Sequence, residues 1–442
     1  MSPKTKHLSK VRPIMMLATL IAVAGLLMSP QRTHANTVPL YTFSGPDGGN
    51  PFGGLVQGSD GSFYGTTANG GANGNGTVFR ITSVGALTTL HSFTYTDGSN
   101  PTGALVQGSD GNLYGTTYAG GTSGAGTVFK ITLAGALTTL HSFHFSDGTG
   151  LWAGLVQGSD GSFYGTTYEG GGAFGGGTIF KITAGGTFTT LHMFPSSFIN
   201  FDGSNPTGAL VQGSDGNFYG TAYHGGTGGV GTVFKITAGG SFTLLHSFNN
   251  SDGQAPFAGL VQGSDGNFYG TTLAGGAYYG LPGHGDGEGT VFKMTSDGAL
   301  TTLYSFNQSD GAGPRGNLVQ GSDGDFYGTT YGGGPVHYTE FGPTQYGIVF
   351  KITSGGSLTM LYGFSGIDGE SPQGGLVQGR DGNFYGTTVG GGAGGVGTVF
   401  MIDGPPAPTT VEQCKNGGWM TFTSPHPFKN QGDCIQFVNT GN

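Results

Sequence analysis

One string governs what this chain can fold into. Leu-Val-Gln-Gly-Ser-Asp-Gly begins at Leu55, Leu105, Leu155, Leu210, Leu260 and Leu318, and returns as Leu-Val-Gln-Gly-Arg-Asp-Gly at Leu376. Successive starts are 50, 50, 55, 50, 58 and 58 residues apart. A period near 50 means stacked supersecondary units, each too small to bury its own apolar face. Each unit runs GALVQG, a Ser-Asp-Gly turn, NFYGTT, a Gly-rich loop, GTVFKIT, a second turn and LTTLHSF, with local variation. The runs are short and rich in Val, Ile, Phe, Tyr and Thr, which favours strands. Asp-Gly between two such runs is a hairpin signal, because the turn needs a residue that tolerates positive φ. The pattern predicts a four-stranded antiparallel meander, with strands A to D in chain order.

Four strands per unit at this period is the arithmetic of a β-propeller. The ends of the repeat region sharpen it. The seventh unit stops at GTVFMI, residues 397–402, with no LTTLHSF after it. The missing strand D is found at the other end, as TVPLYTF at residues 37–43, followed by Asp47-Gly48. The expected fold is therefore all-β: a seven-bladed propeller whose N-terminal strand completes the last blade. An open β-solenoid is the alternative, but it gives no reason for a split unit and would need capping repeats.

Composition fits this and removes other classes. The chain has 95 Gly in 442 residues, roughly a fifth, against about 7% in an average protein. Collagen would need Gly at every third position, and a flexible linker would lack 32 Phe and 19 Tyr. Each Gly in a helix interior costs about 1 kcal/mol, so a helical protein is disfavoured. The Gly-rich stretches carry no GK[ST] phosphate-loop ending, and read as turns and loops.

Residues 1–13 hold Lys4, Lys6, Lys10 and Arg12, and residues 14–28 are apolar. Fifteen apolar residues fall short of the roughly 20 needed to span a bilayer, and Thr33-His34-Ala35 has the small-residue form of a cleavage site. The expected organisation is a signal peptide at 1–35, the propeller at 36–403, a Pro-rich linker at 404–410 and a small module at 411–442. The product would be secreted or cell-surface, with no stable membrane insertion after cleavage. Cleavage would leave ten basic residues against 24 acids, a net charge of −14. Such a surface repels phosphate, so no nucleic-acid partner is expected. Cys414 and Cys434, in an exported chain, suggest one disulfide.

Most charged residues belong to repeated slots. Asp60, Asp110, Asp160, Asp215, Asp265, Asp323 and Asp381 occupy the A–B turn. Asp47, Asp97, Asp147, Asp202, Asp252, Asp310 and Asp368 occupy the D–A loop. A catalytic group is needed once, so a residue present in every blade reads as a turn or hydrogen-bonding device. Arg80, Lys130, Lys181, Lys235, Lys293 and Lys351 share one slot in strand C, with Met401 in the seventh blade. The expectation is that each cation pairs with an A–B Asp, and that Arg380 beside Asp381 compensates for Met401.

Function is sought where repetition breaks. The B–C loops of blades five and six are long, residues 273–289 and 331–347. They carry Tyr278, Tyr279, His284, Asp286, Glu288, His337, Tyr338, Glu340, Phe341 and Tyr346. A second variable slot precedes strand A: Phe52, Thr102, Trp152, Thr207, Phe257, Arg315 and Gln373. If strand A is innermost, this slot rims the channel, where aromatics could stack on a sugar or peptide. The candidate ligand-binding set is Tyr278, Tyr279, His284, Asp286, Glu288, His337, Tyr338, Glu340, Trp152, Phe52, Phe257 and Arg315. No catalytic residue, metal ligand set or cofactor is assigned, because H-x-D-x-E matches no dedicated ligand motif and no nucleophile elbow or HExxH is present.

The units DGxxPxxxLVQGSDGxFYGTT…GTVFKIT…LTTLHSF, over residues 37–403, resemble the Gloeo/Verruco (GloVer) tandem-repeat family of exported bacterial proteins. That resemblance implies bacterial export and supplies no catalytic residues. The expected role is a monomeric binding or interaction scaffold, for carbohydrate or a cell-surface protein. The alternative is a polysaccharide-acting lyase or hydrolase with its site on the blade five and six loops.

Overall fold

A computed structural model describes residues 37–172, 175–195, 201–340, 342–405 and 415. The leader, Phe341 and both cysteines lie outside the described residues. Blade one shows the plan: strand A is Val56–Gln57, B is Phe63–Thr67, C is Thr77–Ile81 and D is Leu87–Ser92. Six such four-stranded sheets follow the chain in order A-B-C-D. The seventh is built from Val377–Gln378, Phe384–Thr388, Thr398–Ile402 and the N-terminal Thr37–Thr42. Thr37–Thr42 pairs antiparallel with Thr398–Ile402, from Thr37 opposite Ile402 to Thr42 opposite Thr398. The ring is closed as the split unit required.

Strand A is only two residues long because adjacent strands A converge on the axis, where backbone meets backbone. A Cβ on Gly154 would collide with the Ala104 carbonyl of the preceding blade. The Asp-Gly turn behaves as its sequence predicts, with Gly61 at φ +82° and bonded back to the Gly58 carbonyl at 3.0 Å. Strand D carries a bulge: Val78 faces His91 but Phe79 faces Thr89, leaving Leu90 unpaired in the register. Bulges strengthen local twist, which suits blades that must splay around an axis.

The core is seven apolar layers, each between two neighbouring blades. In six of them a strand-B Tyr stacks on the strand-B Phe of the next blade, as Tyr114 on Phe163 at 3.9 Å and Tyr385 on Phe63 at 4.1 Å. Between blades one and two, Leu113 takes the Phe position. The closing layer holds Phe43, Phe63, Phe79 and Tyr385, so the N-terminal strand contributes to a core like the others.

Polar staples repeat with the core. Every strand-B Tyr donates its hydroxyl to its own A–B Asp, at 2.6–2.9 Å. The strand-A Gln accepts from the turn amide of the preceding blade, as Gln107 from Ser59 at 2.9 Å. At the closure Gln57 accepts from the Arg380 amide at 3.0 Å. The ion-pair expectation holds in four blades: Arg80–Asp60 at 3.2 Å, Lys181–Asp160 at 2.7 Å, Lys293–Asp265 at 2.9 Å and Lys351–Asp323 at 3.6 Å. Lys351 is closer to Asp325, at 2.7 Å. In blades two and four, Asp110 and Asp215 stand exposed, and their slight desolvation opposes ionisation. Hydrogen bonds from Asn112 and Tyr114, and from Asn217 and Tyr219, nonetheless hold both below the usual carboxylate range, with Lys130 and Lys235 adding only charge. The expectation for Arg380 is corrected. Its guanidinium donates to the Gly58 and Ser59 carbonyls of blade one, so it fastens the closure rather than balancing Asp381.

Candidate functional site

The meander puts A–B and C–D turns on one face and B–C and D–A loops on the other. Of the twelve large hydrophobics that stand exposed among the described residues, nine lie in B–C or D–A loops. They include Tyr95, Phe145, Phe201, Tyr338 and Ile367. The other three are Val84 in a C–D turn and Met193 and Met360 on strand D. The loop face is therefore the sticky one.

At its centre the channel opens into a cavity of about 330 Å³. The slot before strand A supplies Phe52, Trp152, Thr207, Phe257, Arg315 and Gln373. Phe52, Trp152 and Phe257 are half-buried there. Trp152 meets Phe52 at 6.4 Å and Phe257 at 6.3 Å, both edge-on. Four of the predicted candidates thus share one cavity: Phe52, Trp152, Phe257 and Arg315.

A second ring was not anticipated. The residue after strand B is Ala68, Tyr118, Tyr168, Tyr223, Leu273, Tyr331 and Val389 in successive blades. Tyr118, Tyr168, Tyr223 and Leu273 line the same mouth. The Tyr118 ring lies 4.9 Å from Trp152. Burial pushes the Tyr168 hydroxyl up, and the charges of Glu169, Tyr223 and Tyr118 add to it. The signal was present as the first of two variable positions between strand B and the glycines, but only the ring shows that it faces the axis. Below the mouth the channel continues as a space of about 410 Å³ lined by residues just before or at the start of strand A in all seven blades.

The long loops do something different. In blade five, Tyr278 lies 5.1 Å from the His284 ring, and His284 Nδ1 is 3.6 Å from Glu288 Oε1. Burial raises the Glu288 pKa, and His284 partly offsets that. Asp286 and Glu288 tie the loop down through their backbone carbonyls, which accept from Gly275 at 2.6 Å and Gly313 at 2.9 Å. Asp286 and Tyr279 are exposed. In blade six, His337–Thr339 and Gly342–Thr344 form an extra hairpin. His337 packs 5.4 Å from Tyr346, while Tyr338 and Glu340 stand in solvent, Tyr338 at 87% exposure. Among the described residues the ring and ion-pair contacts of Tyr278, His284, Glu288 and His337 stay within their own loops. Among the described residues no three His, Cys, Asp or Glu side chains converge as a metal site. The two halves of the candidate set are therefore distinct: four residues line the aromatic mouth at the axis, and the loop candidates from Tyr278 to Glu288 and from His337 to Glu340 are not among its lining residues.

The D–A aspartates prove structural. Asp97, Asp147 and Asp252 pair with His91, His141 and His246 at 2.9–3.1 Å. Asp47 and Asp310 accept instead from Tyr41 and Tyr304 at 2.5 Å, and Asp368 accepts from Tyr362. The partner stands six residues before the Asp in each of these six blades, a spacing legible in the sequence.

Comparison with known proteins agrees with this architecture. A fungal alcohol oxidase of the AA5 family, solved with copper, superposes with a TM-score of 0.51 at 14% identity, over 84% of this chain and 76% of that one. A gluconolactonase from Xanthomonas campestris gives 0.43 at 10% identity, covering 84% and 90%. A luciferin-regenerating enzyme gives 0.42 at 10% identity, covering 84% and 95%. At such identities only the superposition on the fungal oxidase bears on the fold, and on the fold alone. Among curated proteins none matches in sequence. The Gloeobacter/Verrucomicrobia repeat matches residues 23–212, 196–342 and 285–420. With the matches spanning nearly the whole chain and the seven blades built from that repeat, the chain belongs to the Gloeobacter/Verrucomicrobia repeat family.

Proposed function

We propose that this protein is an exported binding scaffold whose channel mouth holds carbohydrate. The observation that carries the reading is the composition of the mouth. Two slots that vary between otherwise uniform blades converge there as Trp152, Phe52, Phe257 and three Tyr, in a cavity of about 330 Å³. Aromatic faces give rigid contact for the apolar face of a sugar ring, and Tyr hydroxyls, Gln373 and Arg315 offer hydrogen bonds at the edge. The lining residues include no carboxylate or imidazole, which suits holding a ligand more than acid–base chemistry.

The test is a glycan array probed with residues 36–442, then with Trp152→Ala, and with loops 273–289 and 331–347 shortened separately in their outer parts, Leu273 and Tyr331 being kept. Binding that is lost in Trp152→Ala and kept in the loop variants is the expected result. The rival reading, a polysaccharide-acting enzyme, draws on the His284–Glu288 pair and the raised Glu288 carboxyl. Turnover of a bound glycan that disappears in Glu288→Gln would favour it.

A further inference from the structure

We infer that the mouth is selective for an acidic sugar, a uronate, whose carboxylate is received by Arg315; this rests on the carbohydrate-binding reading above. Arg315 carries the only formal charge among the residues lining the mouth. Its guanidinium lies 4.1 Å from the Tyr331 ring centroid and 5.7 Å from that of Phe257. Nη1 donates to Gln373 Oε1 at 3.2 Å. Nε is buried without a hydrogen bond, and Nη2 has no recorded partner among the described residues. Among the described residues the ion pairs made by Lys and Arg join Arg80, Lys181, Lys293 and Lys351 to turn-region aspartates, and Arg315 is in none of them.

A guanidinium stays charged at any ordinary pH. Holding it half-buried among rings with no counter-ion is unfavourable, because desolvation is not repaid by a partner. A ligand carboxylate supplies that partner in the geometry guanidinium prefers. A uronate presents both required features on one ring: C–H groups for the aromatic faces and a carboxylate at the edge. The same slot in the other blades is Phe, Thr, Trp or Gln, so the charge is a departure from the repeat at one place. The chain as a whole carries −9, which disfavours a surface that coats itself with polyanion. Recognition must then be local, one carboxylate in one cavity, rather than a field effect.

Oligomers of galacturonate, glucuronate and mannuronate, each beside its carboxyl-reduced counterpart, would be titrated calorimetrically into residues 36–442. At least one acidic oligomer should bind, with its reduced form about ten- to a hundredfold weaker, the range for losing a charge-assisted hydrogen bond. Arg315→Gln should bring the acidic oligomer to the level of the reduced one with an unchanged melting temperature. Arg315→Lys should recover part of the difference, and dextran sulfate should not compete. Equal affinity for acidic and reduced forms, or an unaltered Arg315→Gln, overturns the uronate inference while leaving carbohydrate binding intact. Binding of no glycan at all overturns both.

Discussion

Ala255 occupies a backbone position that its side chain does not suit. The slot before the residue that opens the approach to strand A, Pro in six blades and Leu151 in the third, is left-handed in every blade: Asn50 at φ +53°, Asn100 at +53°, Gly150 at +69°, Asn205 at +58°, Ala255 at +54°, Gly313 at +61° and Ser371 at +54°. Asn and Gly visit this region readily, whereas Ala is strained there by about 1 kcal/mol. The three asparagines also donate to a carbonyl of the preceding blade, at Val389, Ala68 and Tyr168, at 2.9–3.0 Å. Ala255 lacks that bond, and Tyr223 holds the equivalent carbonyl. Ala255→Asn should therefore stabilise the fold by about 1 kcal/mol from the backbone term alone, read as a higher urea midpoint. An unchanged or lower midpoint would mean that the neighbouring loop has no room for the amide. The Asn preference was visible in the repeated Ser-Asn-Pro, but its reason, a left-handed residue reaching across a blade boundary, needs the ring.

The A–B hairpin is the element that ties side chains, backbone and charge together, and its acid has a measurable signature. Burial works against ionisation of Asp160, yet hydrogen bonds from Lys181, the Ser162 amide and Tyr164 bring its pKa from 3.8 down to about 2. A carboxyl lowered in the folded state stabilises above its unfolded pKa and loses that contribution as pH falls through the folded value. The paired hydroxyls behave in the opposite direction. Burial, and then the bond to Asp60, push Tyr64 from 10.0 to about 12. A phenol raised in the folded state stabilises below pH 10 and loses that contribution as pH rises toward 12. The urea midpoint should thus be level between about pH 4 and pH 10 and fall on both sides. Asp160→Asn should lower the plateau and soften the acid limb, and an acid limb of unchanged steepness would count against the turn aspartates as its source. The turn itself was legible from Ser-Asp-Gly. The strand-B Tyr as the partner of its Asp was not, because that contact depends on the hairpin folding back by four residues with the ring inward.

At the scale of the molecule, the ring is closed by pairing and not by a covalent link. Residues 37–43 contribute one outer strand and Phe43, which is fully buried in the layer between blades seven and one. Removing Phe43 alone should cost about 3–5 kcal/mol, as for other core aromatics. Deleting 37–43 should therefore lower the melting temperature sharply. A permutant beginning at Ser44 and carrying 37–43 after Asp403, through a five-residue C–D turn like residues 82–86, should melt like the parent. If the deletion melts unchanged, the strand is not a working part of blade seven. If the permutant melts like the deletion, the position of the strand in the chain matters and pairing alone does not explain closure.

The sequence by itself determined the number of blades, the strands in each and the split of the last one. These follow from local periodicity and turn chemistry, which repeat with the chain. It also separated repeated slots from variable ones, and the variable slot before strand A pointed to Arg315, Trp152, Phe52 and Phe257. Tertiary structure alone decided that these four face Tyr118, Tyr168 and Tyr223 across one cavity. It also decided that Tyr278 and His337 make their ring contacts within the long loops of blades five and six, while only Leu273 and Tyr331, the first residues of those loops, reach the mouth. Proximity across the axis joins residues from blades up to half the ring apart. That is set by how seven twisted sheets pack, through layers such as Tyr114 on Phe163, and no spacing along the chain encodes it.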